Sequence, residues 1–169
     1  MRKNLVLLGM MAVGKTTLAK IVAKKQGLEF IDIDKNIEKK NAMQIKDIFN
    51  IKGEIFFRNE EEKEVLKSLK KNNCVIALGG GAFINDVIRE NILKSAISIW
   101  LDANIKTLKE RIKTNNRRPL LANDKNEVIL KELYNKRRKI YKLADHRINC
   151  NKSSKENLVK KIIKLYDKY

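Results

Sequence analysis

Short apolar runs alternate along the chain with longer segments of helical period. Residues 4–8 form an apolar run ending in glycine, the pattern of a strand buried on both faces of a parallel sheet. A helix fits residues 15–26, with Leu18, Ile21, Val22 and the stem of Lys25 on its inner face and Gly27 as its stop. Glu29 to Asp32 is a second short strand, and residues 35–53 read as one or two helices. Arg58 to Lys71 reads as another, because an acidic start (Glu60, Glu61, Glu62, Glu64) and a basic end suit the helix dipole.

The second half repeats the alternation. Cys74 to Leu78 is a buried strand running straight into Gly79-Gly80-Gly81. A helix over about 85–94 leads to the strand Ala96–Leu101, whose Trp100 is assigned to core packing rather than ligand stacking. Residues 104–113 look helical. Thr114 to Lys125 is polar and basic, holds the single proline, and has the composition of a mobile loop. A helix over about 126–143, a short strand at Arg147–Cys150 and a last helix opened by a Ser153/Glu156 capping box complete the chain. Strands alternating with helices imply βαβ units, hence an α/β fold: a five-stranded parallel sheet covered by helices on both faces. At 169 residues with no linker or repeat, residues 1–169 form one domain.

Charge adds a constraint on partners. The balance is 38 basic to 20 acidic side chains, a formal +18, but most of the bases are lysines spread over polar helix positions such as Lys20, Lys24, Lys67, Lys160 and Lys164. That is a solvated surface, and with few aromatics and no basic tail it argues against nucleic acid. The arginines instead cluster in the second half (Arg111, Arg117, Arg118, Arg137, Arg138, Arg147), where planar donors suit phosphate and carboxylate. Cys74 and Cys150 sit in apolar segments without metal-site spacing, as small buried hydrophobes of a reducing, cytoplasmic compartment. Met1-Arg2-Lys3 and the apolar run after it mimic a short secretory signal, yet the same residues fit a phosphate loop better. No apolar stretch approaches the ~20 residues that span a bilayer.

That loop is Gly9-Met10-Met11-Ala12-Val13-Gly14-Lys15-Thr16, which satisfies G-x-x-x-x-G-K-S/T between a predicted strand and a predicted helix. Backbone N–H groups of such a loop and the helix N-terminus face the phosphates of ATP. Lys15 offers a point charge to the β and γ oxygens, and Thr16 a hydroxyl to Mg²⁺.

The loop alone names no acceptor. Asp32-Ile33-Asp34 puts two carboxylates at the C-terminal end of a strand, where ligands of open α/β sheets bind. In a strand they diverge, so one can serve the metal's water shell and the other an acceptor hydroxyl. On its own the pair fits a solvated turn with a helix cap better. Three successive glycines after the third strand allow close backbone approach to a ligand. Arg58 at a helix start opposes the dipole, which a bound carboxylate would explain.

Six motifs in order then resemble those of shikimate kinases over nearly the whole chain: Gly9 to Thr17 against G-x-M-G-x-G-K-S/T-T, Asp32 to Asp34, Phe57 to Glu61 (F-R-x-x-E), Gly79 to Gly81, Arg118-Pro119-Leu120-Leu121, and Arg137 to Ala144 (R-x-x-x-Y-x-x-A). The resemblance implies a P-loop three-layer sandwich that moves the γ-phosphate of ATP onto the 3-hydroxyl of shikimate. It implies that Arg58 and Arg137 hold the shikimate carboxylate, that Asp34 sits at its hydroxyls, and that Gly79, Gly80, Gly81, Phe57 and Glu61 complete the acceptor site, with residues 33–61 as its binding segment and Glu61 orienting Arg58. It implies that Ala12, Val13, Gly14, Lys15, Thr16 and Thr17 bind the nucleotide, that Thr16 and Asp32 arrange Mg²⁺, and that a mobile lid over about 112–124 brings Arg118 to the phosphates. Arg111 would lie against the adenine, with Lys152 and Ser153 at its edge. The monomer is the expected working unit.

Three departures bear on this. Ala12 replaces the family's usual glycine, Arg117 stands beside Arg118, and the adenine turn lacks the family's common arginine and proline. The rival kinases of similar architecture, for gluconate or a nucleoside monophosphate, lack the set of Arg58, the triple glycine and Arg137. An ATP-using nucleic-acid binder is the alternative from another class.

Overall fold

The computed structural model describes residues 2–113 and 124–169. Its five strands are β1 (Asn4–Leu8), β2 (Glu29–Asp32), β3 (Cys74–Ala77), β4 (Ala96–Asp102) and β5 (His146–Asn149). They form one parallel sheet in the order β2-β3-β1-β4-β5. Every residue of β1, β3 and β4 is buried, as strands covered on both faces must be. The helices are α1 (Lys15–Gln26), α2 (Ile33–Asn41), α3 (Ile45–Leu69), α4 (Asp86–Ser95), α5 (Ile105–Lys113), α6 (Asp124–Tyr141) and α7 (Lys155–Tyr166). The fold is thus the α/β P-loop sandwich read from the pattern of strands and helices.

The strand order has a functional consequence. From β1 the chain passes through α1 to β2 on one side, whereas from β3 it passes through α4 to β4 on the other. The connections leaving β1 and β3 therefore diverge, and a crevice opens between the C-terminal ends of these neighbours. The phosphate loop follows β1 and the triple glycine follows β3, so both glycine-rich segments border that crevice.

Four local readings change. The inner stripe of α1 is Leu18, Ala19, Val22 and Ala23, which leaves Ile21 half-buried and Lys25 exposed, because the two alanines let the helix lie close to its neighbours. Strand β2 ends at Asp32, so Asp34 lies in the first turn of α2 and the two carboxylates diverge by a helix start rather than by strand alternation. Helix α3 runs from Ile45, broken only at Gly53 (φ 84, ψ 167), so Arg58 lies just beyond a break rather than at a first turn. The cap of α7 is Ser154, whose side chain accepts from the Asn157 N–H, while the Ser153 hydroxyl turns back to the Asn151 carbonyl. Trp100 is 1% exposed, as core packing requires.

Candidate active site

Strand β1 delivers the phosphate loop in a fixed conformation. Gly9 has φ 143, and a side chain there would collide with the Leu101 carbonyl oxygen of β4. Val13 is buried beneath the loop, which anchors its tip. Gly14, with φ 105, precedes α1 and frees the first N–H groups of that helix toward the crevice. Ala12 has φ 62, so the position usually occupied by glycine does require the left-handed region, and the methyl group is strained there. Lys15 donates to the carbonyls of Gly9 and Met10, both at 2.9 Å. The Thr16 hydroxyl donates to Asp32 Oδ2 at 2.8 Å, while Asp32 Oδ1 accepts from the Lys35 N–H and caps α2. Thr17 is exposed on the first turn of α1.

The triple glycine faces a ring of charged side chains. A Cβ built on Gly79 would lie 2.5 Å from Glu61 Oε1 and 2.8 Å from Asp34 Oδ1. One on Gly80 would lie 3.2 Å from an Arg137 guanidinium nitrogen and 3.7 Å from Gly9 O, and one on Gly81 would lie 2.6 Å from an Arg58 guanidinium nitrogen. Asp34, Arg58, Glu61 and Arg137 therefore surround a single segment of backbone that also touches the phosphate loop. Any side chain on that segment would occupy the space they enclose.

Electrostatics within this group follow from burial. Arg58 donates to Glu61 Oε2 at 2.7 Å; Glu61 is 1% exposed, but a third of the Arg58 side chain remains in solvent. Burial is the largest influence on the Glu61 carboxyl and drives its pKa up, and Asp34 adds repulsion, against the pull of Arg58 and Arg137. Burial also works against the Arg58 charge, but Glu61 and Glu54 outweigh it and the arginine is held more firmly protonated. The Arg58 guanidinium lies 5.2 Å from the ring centre of Phe57, itself packed on Phe49 at 4.7 Å. Glu61 Oε1 has no hydrogen-bond partner among the described residues.

On the opposite rim, Arg111 donates to the carbonyls of Val13 (2.8 Å) and Cys150 (3.1 Å). It thereby ties the phosphate loop to the turn carrying Lys152, exposed with φ 52, and Ser153. Arg117, Arg118, Pro119, Leu120 and Leu121, together with most of the 112–124 segment, lie outside the described residues. Two open hollows of about 280 and 480 Å³ on the flank of α7 are lined by lysines and apolar residues such as Lys164 and Leu165 and share no residue with the crevice.

Comparison with known proteins bears on the chemistry of this arrangement. The family model for shikimate kinase matches residues 11–167. The chain belongs to the shikimate kinase family. It is 39% identical to the shikimate kinase of Persephonella marina over 95% of this chain and 97% of that one. Its fold is similar to the shikimate kinase of Acinetobacter baumannii solved in complex with shikimate, with a TM-score of 0.90 and 32% identity over 97% of this chain and 92% of that one. The Aquifex aeolicus shikimate kinase aligns at a TM-score of 0.85 and 30% identity, covering 98% and 96%.

One residue of the crevice carried no functional reading in the sequence. Tyr141, one turn beyond Arg137 on α6, is buried and its hydroxyl donates to the Gly80 carbonyl. The signal available was the motif from Arg137 to Ala144, which holds this tyrosine four residues after an arginine already singled out.

Proposed function

We propose that this chain transfers the γ-phosphate of ATP to the 3-hydroxyl of shikimate, yielding shikimate 3-phosphate and ADP in aromatic amino-acid biosynthesis. The observation that carries the proposal is the convergence of Asp34, Arg58, Glu61 and Arg137 on Gly79–Gly81, directly beside the phosphate loop. Two guanidinium groups on one side of a small hollow suit a carboxylate, and planar donors bind it bidentately. Asp34, near the phosphate loop, is suited to accept the proton of the attacking hydroxyl. Glu61 holds Arg58 in place, and Phe57 limits where that guanidinium can lie.

On the nucleotide side, Lys15 exchanges its Gly9 and Met10 carbonyls for the β and γ oxygens of ATP, with the N–H groups of residues 12–17 around the phosphates. Arg111, Lys152 and Ser153 border the adenine. The Thr16 hydroxyl and Asp32 carboxylate are hard oxygen donors 2.8 Å apart at the start of α1, and they fit Mg²⁺. Among the described residues no group of three or more His, Cys, Asp and Glu gathers, and Mg²⁺ needs none, since it keeps several waters and takes phosphate oxygens. Bound there, it supplies charge neutralisation to the phosphates. Arg118 is assigned to the transferring phosphoryl, carried by a lid over about 112–124 that keeps water from competing with the acceptor.

Residues 1–169 act as one catalytic domain, and all the converging groups come from one chain, which supports a monomer. Cys74 and Cys150 are free and buried, with burial pushing the Cys150 thiol up to about 11, in keeping with a reducing cytoplasm. The test is a coupled ADP-release assay over a panel of acceptors. Shikimate-dependent ADP formation is expected, whereas release with gluconate or a nucleoside monophosphate and none with shikimate would remove the proposal.

A further inference from the structure

The triple glycine has no side chains with which to hold itself. Glycine carries the largest backbone entropy of any residue, so a functional conformation of three in a row must be imposed from outside. Three backbone bonds fix the ends: the Leu78 N–H donates to the Leu7 carbonyl, the Ala82 N–H to the Gly79 carbonyl and the Ile84 N–H to the Gly81 carbonyl. The middle, Gly80, is held by the Tyr141 hydroxyl.

Everything about Tyr141 fits that task. Its ring is 1% exposed and packs on Trp100 with centroids 5.9 Å apart, which sets where the hydroxyl falls. Phenylalanine would satisfy the packing equally, so the hydroxyl is the part that needs a reason, and a buried hydroxyl without a partner is costly. Burial pushes the phenol up to about 12, against the pull of nearby Arg137, so at neutral pH it is a protonated donor. The hydroxyl also lies 4.0 Å from Met10 Sδ, so the same side chain abuts the phosphate loop.

A trans peptide is planar, and its C=O and N–H point in opposite directions. Once Tyr141 holds the Gly80 carbonyl, the Gly81 N–H of that peptide is aimed away from Tyr141. Gly81 is also the residue whose missing side chain makes room for the Arg58 guanidinium. We propose that Tyr141 is a positioning residue for the acceptor: by fixing the Gly80–Gly81 peptide it sets the affinity for shikimate without setting that for ATP. The role rests on the assignment of shikimate as acceptor, but the state of the peptide can be read with no ligand at all.

The experiment is Tyr141→Phe, which keeps the ring and removes the hydroxyl with its bonds to the Gly80 carbonyl and Arg137. Leaving the Gly80 carbonyl unpaired is expected to raise the shikimate KM about tenfold with the ATP KM within about twofold. In the ligand-free variant the Gly80 and Gly81 amide resonances should move, and Gly81 amide exchange should quicken. Trp100→Phe, which loosens the ring's seat but keeps the hydroxyl, should lower the melting temperature and raise the shikimate KM by less than Tyr141→Phe does, again with the ATP KM within about twofold. A Tyr141→Phe variant with unchanged shikimate KM and unmoved glycine amides would show that Tyr141 only fills the core. An equal rise in both KM values would overturn the claim of acceptor selectivity. Since the amides report with no acceptor present and wild-type turnover identifies the acceptor, failure of the anchor and failure of the shikimate assignment are told apart.

Discussion

Asp34 and Glu61 meet across Gly79: a first side-chain carbon at that glycine would stand 2.8 Å from one carboxylate and 2.5 Å from the other. The glycine is therefore a requirement of space, since its backbone does not lie at positive φ. Gly79→Ala should push Glu61 off Arg58 and crowd Asp34. Because displacements of about 1 Å near the chemistry cost roughly 100-fold, a loss of that order in kcat/KM for shikimate is expected, with ATP affinity retained. Steady-state kinetics with each substrate varied, beside nucleotide titration calorimetry, make the measurement.

Asp34→Asn keeps the shape and removes the proton acceptor. Turnover should fall by about 10²- to 10⁴-fold, the usual worth of a general base, while ATP binding stays near that of the wild type. A variant that had lost nucleotide affinity would place Asp34 in the wrong half of the crevice.

Ala12 sits at φ 62, where a Cβ costs about 1–2 kcal/mol and a glycine does not. Glycine also makes the unfolded chain more flexible, which offsets about 0.4–1 kcal/mol of the relief. Ala12→Gly should thus stabilise the protein by about 0.5–1 kcal/mol in urea titration. Ala12→Val, with a branched Cβ at the same φ, should destabilise it.

The Glu61 carboxyl, raised from 4.5 chiefly by burial, gives a signed dependence on pH. Between its unfolded and native values the folded chain holds a proton that the unfolded chain has released. The stability associated with this group is therefore full below 4.5 and declines as pH rises through the native value. Urea midpoints across about pH 4 to 8 should carry that decline in the wild type, and Glu61→Gln should flatten it.

Much of the crevice could be read from sequence because its chemistry is local. The phosphate loop is eight contiguous residues from a strand end into a helix start. The triple glycine stood out because it is unfavourable in chain entropy, and Arg58 because the sequence pattern set it at a helix start, a placing that the structure corrects. What escaped depends on contacts distant in sequence. Only the contact between Gly80 and Tyr141, 61 residues apart, gives that hydroxyl a purpose. The reading of residues 35–53 stopped a helix at Gly53, but nothing local shows that helix resumes at once beyond it, four residues before Arg58. Ser153 and Ser154 are both good caps, and backbone geometry rather than residue type selects the second. The segment around Arg118 lies outside the described residues.

Lys15 rests on two main-chain oxygens of its own loop. A visitor must outbid those dipoles to draw the ammonium away, and a formal negative charge does so where a sugar hydroxyl cannot. The loop thus sorts arrivals by ionic character before it sorts them by outline: free nucleosides leave the lysine where it is, and an anionic phosphate recruits it.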